Sequence, residues 1–429
     1  MRRARNRLPA FSAVLAAALA LALVLAPSAA ARHGERWLLT GASAIPIDYW
    51  QGLTSDPAKA NVYFVGVFQG LWRTTPTLRQ TAGVPAAIPP AVTHREGYNH
   101  IGDPTWNPGE GGRVLLPMEC FTPGVGNTCG TGAFGVADPA TLGFRYYVKL
   151  DPREIAKAMW AETSPDGSLI WTSSGDDLLA YRSTDVSPAN RSPSGPLVRA
   201  VRRLAGAVPP SGVTGAVFRK GRLLLAGQAG GVSQVWSVNP DTGARRLELE
   251  LRVCGESEGL DVIQTLGGEL HWLIAPSAPG CQLTFGPTSA LLHFIPTPAH
   301  ERYAVEVTHT DVARLPGSVS ATVRARRGRH PLREARVSFA GGTARTDKRG
   351  VATVTTTLER PGWFRALVRR GQNYGVSGLV PIGVAPLAGA PVASTPGRRS
   401  GAGRAPGRRR GELRRIAGSA SADRGRQRG

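Results

Sequence analysis

Cysteine and lysine are rare in this sequence. Its 429 residues include four cysteines and five lysines, against 47 arginines. No two cysteines have the CxxC spacing that is typical of a tetrahedral zinc site, so the sequence does not indicate one. It contains no recognised nucleic-acid-binding module, which argues against specific nucleic-acid binding. After residue 31, no apolar run is long enough to span a membrane as a helix.

The first 31 residues have the three parts of a secretory signal peptide. Residues 2–7 are mostly basic, residues 11–25 are apolar and residues 28–31 are small. The alternative is a membrane anchor, but the apolar part is shorter than the about 20 residues that a spanning helix needs. We therefore interpret residues 1–31 as a signal peptide and expect the protein to be secreted or associated with the cell envelope.

The net charge of +22 is unevenly distributed. Residues 32–300 contain equal numbers of basic and acidic side chains. Residues 301–389 contain 15 basic and six acidic ones, and residues 390–429 contain 11 and two. In an exported protein, which we expect to be a monomer, this basic C-terminal part favours binding to an anionic envelope polymer or membrane surface. The alternative is that the excess of arginine reflects a compositional bias and that these side chains only keep the surface solvated.

Five stretches have the same pattern, an apolar strand that turns at glycine, proline or aspartate and returns as a second apolar strand. They span residues 51–65, 101–116, 160–171, 213–225 and 258–272. Their starts lie roughly 45–60 residues apart, close to the period of propeller blades. One such hairpin cannot bury its own apolar faces, so neighbouring copies must stack around a common axis. Residues 33–297 are therefore predicted to form a β-propeller of five or six blades.

Two shorter segments complete this prediction. Residues 37–40 are apolar and have no hairpin partner nearby, so we expect this strand to pair with the last blade and close the ring. Helix is scarce, and residues 152–159 are the one segment that we predict to be helical.

Residues 301–384 contain short alternating strands separated by glycine and proline turns, a pattern typical of a small β-sandwich. Residues 346–350 read Thr-Asp-Lys-Arg-Gly. This motif resembles the hairpin of bacterial immunoglobulin-like and carboxypeptidase-regulatory-like modules, which implies an immunoglobulin-like sandwich and no particular activity. Residues 390–429 have almost no large apolar side chains and are predicted to be disordered. The expected fold class is thus all-β.

The first strand of each blade lines the channel of a propeller, so polar residues near the starts of these strands are the candidate site. The expected ligand-binding residues are Gln51, His94 and Glu119, and the candidate metal ligands are Glu258, Asp103, Asn99 and Glu162. His100 is the candidate general base, because histidine titrates near neutral pH. The alternative is that these groups only satisfy buried backbone donors around the axis.

Residues 256–261 read Glu-Ser-Glu-Gly-Leu-Asp. This segment resembles the acidic strand that opens blades in gluconolactonase-like, paraoxonase-like and phytase-like propellers. The resemblance implies a divalent cation in the channel, and oxygen ligands from several strands suit Ca²⁺. By this resemblance, Glu258 is the best ligand candidate.

The four cysteines form two pairs that are local in sequence, Cys120 with Cys129 and Cys254 with Cys281. In an exported protein both pairs favour disulfides, although four cysteines allow three connectivities. The leading functional hypothesis is an exported propeller that binds a ligand or an envelope component at the channel mouth. The alternative is a metal-dependent hydrolase of the lactonase or phosphoesterase type.

Overall fold

The computed structural model describes residues 36–383, except residues 67, 254, 276–288, 299 and 313. The predicted signal peptide, the predicted disordered tail and the Cys254–Cys281 pair lie outside these residues. The described chain is nearly all β-structure, as predicted. Within it, no helix has both the length and the apolar character needed to cross a membrane.

Five sheets of the described chain are the blades of a propeller. The first strand of the described residues is β1 (Trp37–Ile45). Blade 1 contains β2 (Gly52–Ser55), β3 (Val62–Val65), β4 (Leu71–Thr74) and β5 (Gln80–Val84). Blade 2 contains β6 (His100–Ile101), β7 (Thr105–Asn107), β8 (Arg113–Glu119), β11 (Ala133–Ala137) and β12 (Phe144–Lys149), with a small separate hairpin of β9 (Phe121–Thr122) and β10 (Gly126–Asn127).

The other three blades follow in order. Blade 3 contains β13 (Glu162–Thr163), β14 (Leu169–Ser174), β15 (Asp177–Arg182) and β16 (Arg202–Leu204). Blade 4 contains β17 (Gly215–Arg219), β18 (Arg222–Ala229), β19 (Val232–Val238) and β20 (Arg245–Leu251). Blade 5 contains β21 (Glu256–Thr265), β22 (Gly268–Ala275) and β23 (Ser289–Pro296), and β1 is its fourth strand.

The inner strands of the five blades form a closed ring. β2 contacts β7, β7 contacts β13, β13 contacts β17, β17 contacts β21, and β21 contacts β2. The antiparallel pairing of β1 with β23 joins the strand before blade 1 to the last blade, which confirms the predicted closure. This pairing also protects an edge of blade 5 that would otherwise be exposed.

The predicted helix at residues 152–159 is wrong, because this segment consists of turns and irregular structure. Its start is tied to Asp151, whose carboxylate accepts a hydrogen bond from the backbone N–H of Arg153. Ile155 and Ala158 are buried in a cluster with residues of blades 2 and 3, so tertiary packing decides the conformation of this segment. A short helix, α1 (Pro90–Glu96), lies instead before blade 2. It begins at a proline and ends at Gly97, which has a left-handed backbone conformation, φ +83°.

Most of the remaining strands form a two-sheet structure, the sandwich. Sheet S1 has the order β24 (His300–Glu301), β33 (Asn373–Val376), β32 (Ala366–Arg370), β28 (Arg336–Phe339), β29 (Gly342–Arg345). Sheet S2 contains β25 (Ala304–Val312), β26 (Gly317–Arg327), β27 (His330–Pro331) and β30 (Val351–Leu358). In the predicted hairpin motif, Asp347 accepts backbone hydrogen bonds from Arg349 and Val351 and so closes the turn before β30. The relationship to immunoglobulin-like modules stays a prediction.

Two strands of the C-terminal part leave the sandwich and extend blade 5. β31 (Gly362–Phe364) pairs with the free side of β1, and β34 (Val380–Ile382) pairs with β31. β31 and β32 are separated by Arg365 alone, but they belong to different sheets. The ring-closing strand is therefore hydrogen-bonded on both sides, by the propeller and by the C-terminal part.

One apolar core runs through blade 5, blade 1 and the sandwich. Leu291 of β23, Phe64 of β3 and Val337 of β28 all belong to it. A buried polar chain lies beside this core. The Ser43 hydroxyl lies 2.8 Å from Nε2 of His293, the Nδ1 atoms of His293 and His271 are 2.8 Å apart, and Nε2 of His271 lies 2.8 Å from the carbonyl oxygen of Ile263.

Candidate functional site

The axis of the propeller is closed by the side chain of Asp103. This residue lies between β6 and β7 and is fully buried. One carboxylate oxygen accepts the backbone N–H of Leu53 in blade 1 at 2.9 Å, and the other accepts the N–H of Ala216 in blade 4 at 2.9 Å. The backbone of Asp103 bonds to Met159 and Ala161 on the way into blade 3. A single residue thus connects four blades at the centre of the ring.

Glycines allow this close approach. A Cβ atom on Gly52 would lie 2.5 Å from the Cα of Asp103. A Cβ atom on Gly259 would lie 2.5 Å from the Oδ1 atom of Asp103. A Cβ on Gly215 would lie 2.5 Å from the carbonyl oxygen of Glu258. Real Cβ atoms do not come so close, so the centre of the ring is packed backbone against backbone. The axis is therefore a closed plug at this level.

The plug separates two ends of the axis. In blade 1, Gln51 comes before the level of Asp103 and Ser55 comes after it. In blade 5, Glu258 comes before this level and Asp261 comes after it. We call the end with Gln51 and Glu258 the N-end, because the inner strands start there, and the end with Ser55 and Asp261 the C-end.

Four of the predicted site residues meet at the N-end. Nε2 of Gln51 donates a hydrogen bond to Glu258 at 3.0 Å, and Oε1 of Gln51 lies 3.2 Å from Nε2 of His100. Nδ1 of His100 is 3.0 Å from Glu119, and the ammonium group of Lys157 is 3.9 Å from the second oxygen of Glu119. Gln51, His100, Glu119 and Glu258 are each at most 8% exposed. They form a buried polar chain with Lys157 at its outer end.

Glu258 reaches the axis because β21 is irregular at this point. Ser257 and Leu260 pair with Ile274 and Trp272, so Glu258 and Gly259 together oppose one residue and form a β-bulge. Burial raises the pKa of Glu258 well above its ordinary value, and the nearby carboxylates of Glu256 and Asp103 add to the shift. Ionisation of Glu258 is therefore disfavoured inside the ring.

The C-end contains an open pocket. Its cavity has a volume of about 380 Å³ and is lined by residues from blades 1 to 5. Its polar and aromatic lining includes Ser55, Lys59, Thr105, Trp106, Glu162 and Asp261. Ligand sites in proteins commonly begin at about 300 Å³. We call this cavity the C-end pocket.

Lys59 covers Asp261 in this pocket. Its ammonium group donates a hydrogen bond to the hydroxyl of Ser55 at 2.6 Å and lies 3.7 Å from Oδ1 of Asp261. Lys59 has a left-handed backbone conformation, φ +53°, in a turn that Asp56 caps through the N–H of Ala60. The Asp261 side chain is 5% exposed, whereas the Lys59 side chain is 42% exposed. Oδ2 of Asp261 is buried and has no hydrogen-bond partner among the described residues.

Glu162 forms the inner wall of the C-end pocket. One carboxylate oxygen accepts the backbone N–H of Phe218 at 2.8 Å, and the other accepts the hydroxyl of Thr105 at 2.9 Å. Burial, with a smaller contribution from the charge of Asp261, raises the pKa of Glu162 from 4.5 to about 8, although these hydrogen bonds act in the opposite direction. At neutral pH this carboxyl group therefore holds a proton for most of the time.

The other predicted site residues lie elsewhere. Asn99 exchanges two hydrogen bonds with the backbone of Phe121, at 2.9 and 2.7 Å, and His94 is exposed on α1. The disulfide between Cys120 and Cys129 is present, as predicted, with its Cα atoms 5.0 Å apart. It holds the β9–β10 hairpin at the N-end, where the ring of Phe121 lies 5.4 Å from the ring of His100.

The candidate metal ligands are spread over different levels of the axis. Glu258 is at the N-end, Asp103 is in the plug with both oxygens bonded to backbone N–H groups, and Glu162 is at the C-end. Asn99 bonds to the backbone of Phe121 in β9. In the part of the chain that the structure describes, no group of three or more histidine, cysteine, aspartate and glutamate side chains is arranged to hold a metal ion.

Lys59 and Asp261 were not among the predicted site residues. The prediction concerned the starts of the inner strands, whereas these two residues lie in the turn after β2 and in the second half of β21. Asp261 is part of the acidic segment 256–261, but position in that segment alone does not show that it lies beyond the plug. A search for polar residues at the ends of the inner strands would have found Ser55, the last residue of β2.

No protein family model matches the sequence, and no curated protein matches it significantly. Among solved structures, this chain is similar to a luciferin-regenerating enzyme, with a TM-score of 0.36 and 11% identity over 59% of this chain and 94% of that one. It is also similar to the β-propeller domain of Cps50 (Swd1) from Myceliophteria thermophila, with a TM-score of 0.30 and 11% identity over 74% of this chain and 99% of that one. Both similarities concern the fold, and neither carries a function over to this chain.

Proposed function

We propose that this protein is an exported binding protein whose propeller holds a small, uncharged, polyhydroxylated ligand, such as a sugar unit of an envelope polymer, in the C-end pocket. The observation that carries this proposal is the buried Oδ2 atom of Asp261, which has no hydrogen-bond partner in the described chain. Leaving a buried carboxylate oxygen without a donor is costly. A ligand hydroxyl that displaces Lys59 and donates to this oxygen removes the cost.

The charges in the pocket favour a neutral ligand. Lys59 and Asp261 have opposite charges and lie 3.7 Å apart. Glu162, the third ionisable residue that lines the pocket, is mostly protonated at neutral pH because its pKa is about 8. The net charge of the three groups is therefore close to zero. A strongly charged ligand would gain little attraction and would lose its hydration on entry.

The lining of the pocket suits a sugar. Ser55 and Thr105 offer hydroxyl groups, Asp261 accepts hydrogen bonds and Lys59 donates them. Trp106 contributes a half-buried aromatic ring, which can contact the apolar face of a sugar ring. Donors, acceptors and one aromatic surface are thus available within one cavity.

Ligand-observed NMR and calorimetry on the purified protein test the proposal. The probes are the methyl glycosides of common hexoses, 6-deoxyhexoses and N-acetylhexosamines. We expect at least one of them to bind saturably, and D261N to weaken that binding about tenfold or more, because a charged hydrogen bond contributes about 1.5–3 kcal/mol.

D241N is the matched control, because Asp241 is an exposed aspartate in the outer turn of blade 4, with a side chain 78% exposed. It should bind like the unaltered protein. If none of these glycosides binds, or if D261N binds the active one with unchanged affinity, the proposal is wrong.

Two parts of the proposal concern location. Export is supported by the signal-like residues 1–31 and by the Cys120–Cys129 disulfide, since disulfides persist mainly in oxidising compartments. Association with an anionic envelope surface is supported by the excess of basic residues after residue 300. Retention of the protein on isolated envelopes should then weaken as salt is raised.

The alternative, a metal-dependent hydrolase of the lactonase or phosphoesterase type, has less support. Its proposed base, His100, lies in the buried chain of the N-end. Its proposed ligands Asp103 and Glu162 use their oxygens for hydrogen bonds within the ring. We therefore keep the binding function as the conclusion.

A further inference from the structure

A second cavity lies where the sandwich meets the propeller. It has a volume of about 570 Å³, and we call it the junction cavity. Two tight turns face each other at its rim, Leu266-Gly267 between β21 and β22 and Ala340-Gly341 between β28 and β29. All four residues have positive φ angles, as the tightest hairpin turns require. A Cβ on Gly267 would lie 3.3 Å from the backbone nitrogen of Gly341, so the turns are in direct contact.

Two arginines of sheet S1 line this cavity. Arg336 on β28 and Arg369 on β32 are direct partners in the antiparallel register, and Arg345 on β29 is the partner of Arg336 on its other side. Three arginines therefore lie in one row across three neighbouring strands. Like charges directly opposite each other destabilise a sheet, so this arrangement costs stability unless something compensates for it.

Nothing in the described chain neutralises Arg336 and Arg369. No carboxylate of the described residues lies within 4.0 Å of either guanidinium group. Glu269, which is close enough to affect Arg369, is held by Arg219 at 2.6 Å. Nε of Arg369 is a buried donor without a hydrogen-bond partner in the described chain. Burial and the charge of Arg336 lower the pKa of Arg369, as expected for a cation in an unfavourable position.

Hydroxyl and amide groups surround the two arginines. Thr77 from the turn after β4, Gln264 from β21, Thr343 from β29 and Thr357 from β30 line the same cavity. These groups can bind the polar part of a ligand, while the guanidinium groups bind an oxyanion through paired N–H donors. The cavity is larger than a single inorganic anion needs.

We propose that the junction cavity is a binding site for a phosphate- or sulfate-type oxyanion carried on a polar body, with Arg336 and Arg369 as its anion ligands. This site is separate from the C-end pocket. It adds a discrete site to the general attraction of the basic C-terminal part for anionic surfaces, so it goes beyond the function proposed above. The same chemistry could come from a phosphorylated sugar or from a lipid headgroup, and the probes below separate these two sources.

Calorimetry and thermal unfolding of the full chain test this site with inorganic phosphate, inorganic sulfate, glucose 6-phosphate, glucose and vesicles of phosphatidylglycerol. We expect glucose 6-phosphate to bind at least about tenfold more tightly than glucose, which lacks the anion. R336Q and R369Q should each weaken this binding about tenfold or more. The anions should raise the Tm of the unaltered protein and have little effect on R336Q, which has lost the repulsion that they relieve.

R326Q is the matched control, because Arg326 is an exposed arginine on the other sheet of the sandwich, on β26. It removes the same charge and should leave the binding of glucose 6-phosphate unchanged. D261N should also leave it unchanged, which separates this site from the C-end pocket. Stronger binding to the vesicles than to glucose 6-phosphate, lost in R336Q, identifies the lipid headgroup as the source of the anion.

Three results would overturn the inference. The first is that phosphate, sulfate, glucose 6-phosphate and vesicles all fail to bind saturably. The second is that R336Q and R369Q bind them like the unaltered protein. The third is that R326Q weakens binding as much as R336Q does, which would show diffuse attraction to a basic surface instead of a site.

Discussion

Asp103 and Ala216 are 113 residues apart in the chain, and a carboxylate oxygen of Asp103 accepts the backbone N–H of Ala216 at 2.9 Å. The other oxygen of the same carboxylate accepts the N–H of Leu53. Blades 1, 2 and 4 are thus joined through one side chain on the axis. This relationship makes the centre of the propeller a structural plug and leaves ligand binding to the ends of the axis.

We predict that D103A destabilises the protein strongly. The substitution leaves the N–H groups of Leu53 and Ala216 buried without an acceptor, at a cost of about 1–3 kcal/mol for each. D241A, which removes an exposed aspartate, should change the free energy of unfolding by less than about 0.5 kcal/mol. Urea unfolding of the three proteins measures this difference. Equal stability of D103A and D241A would show that Asp103 does not hold the ring together.

Metal content separates the binding function from the hydrolase alternative. Elemental analysis of the purified protein should find no stoichiometric Ca²⁺ that depends on Glu258 or Asp103, because both oxygens of Asp103 are bonded to backbone N–H groups. One Ca²⁺ per chain that is lost in both E258Q and D103N would contradict this expectation. That result would favour the metal-dependent hydrolase.

Glu162 should make stability depend on pH in a defined direction. Its pKa is raised from 4.5 to about 8 in the folded protein, so between these values the folded state holds a proton that the unfolded state has lost. The free energy of unfolding should therefore fall as pH rises through this window, by up to about 1.4 kcal/mol per pH unit. E162Q should lack this decrease.

The comparison needs a control for the removed charge. E306Q, at an exposed position of β25, serves this purpose and should follow the pH profile of the unaltered protein. The measurement is urea unfolding of all three proteins from pH 4.5 to about 8. If the free energies of unfolding of E162Q and the unaltered protein differ by a constant amount over this whole pH range, the shifted pKa of Glu162 is contradicted.

The buried pair of His271 and His293 should make the stability change with pH in the opposite direction. Burial lowers the pKa of His271 from 6.5 to about 4 and that of His293 well below its ordinary value. As pH falls from 6.5 to about 4, the unfolded state takes up protons that the folded state excludes, so stability is lost in this direction. H271Q should be less stable than the unaltered protein at neutral pH, and the difference should shrink as the pH falls.

His309 offers a matched control, since it lies on β25 with a side chain 64% exposed. Unfolding by urea between neutral pH and about pH 4, with H309Q beside H271Q, checks the prediction. The free energy of unfolding of H271Q could differ from that of the unaltered protein by a constant amount, or H309Q could show the same pH-dependent difference. Either result would show that the histidine pair does not control the stability at acid pH.

The sequence predicted those features that depend on local patterns. Five hairpins at a regular spacing gave the propeller, and the unpaired strand at residues 37–40 gave its closure. Polar residues near strand starts gave Gln51, His100 and Glu258, and Glu119, just before the Cys120–Cys129 loop, completes their chain. In each case, residues that are close in sequence, or repeated in the same position of each copy, carry the signal.

The features that the sequence did not reveal depend on distant contacts. β31 and β34 are three residues each, too short to show a strand pattern, and their place is decided by pairing with β1 and with each other. The arginine row of sheet S1 combines residues from three strands whose register is not visible in the sequence. Lys59 reaches Asp261 across 202 positions, through a turn whose direction only the folded ring defines.

The scarcity of lysine provides the most direct test of the C-end pocket. The chain has five lysines, and Lys59 is the only one of them that lines this pocket. After reductive methylation with ¹³C-formaldehyde, each lysine gives its own NMR signal, and K59R identifies that of Lys59. We predict that the neutral glycoside that binds the protein shifts the Lys59 signal and leaves the other four lysines unchanged. A bound glycoside that leaves the Lys59 signal in place, or a panel in which no glycoside binds, would contradict the account.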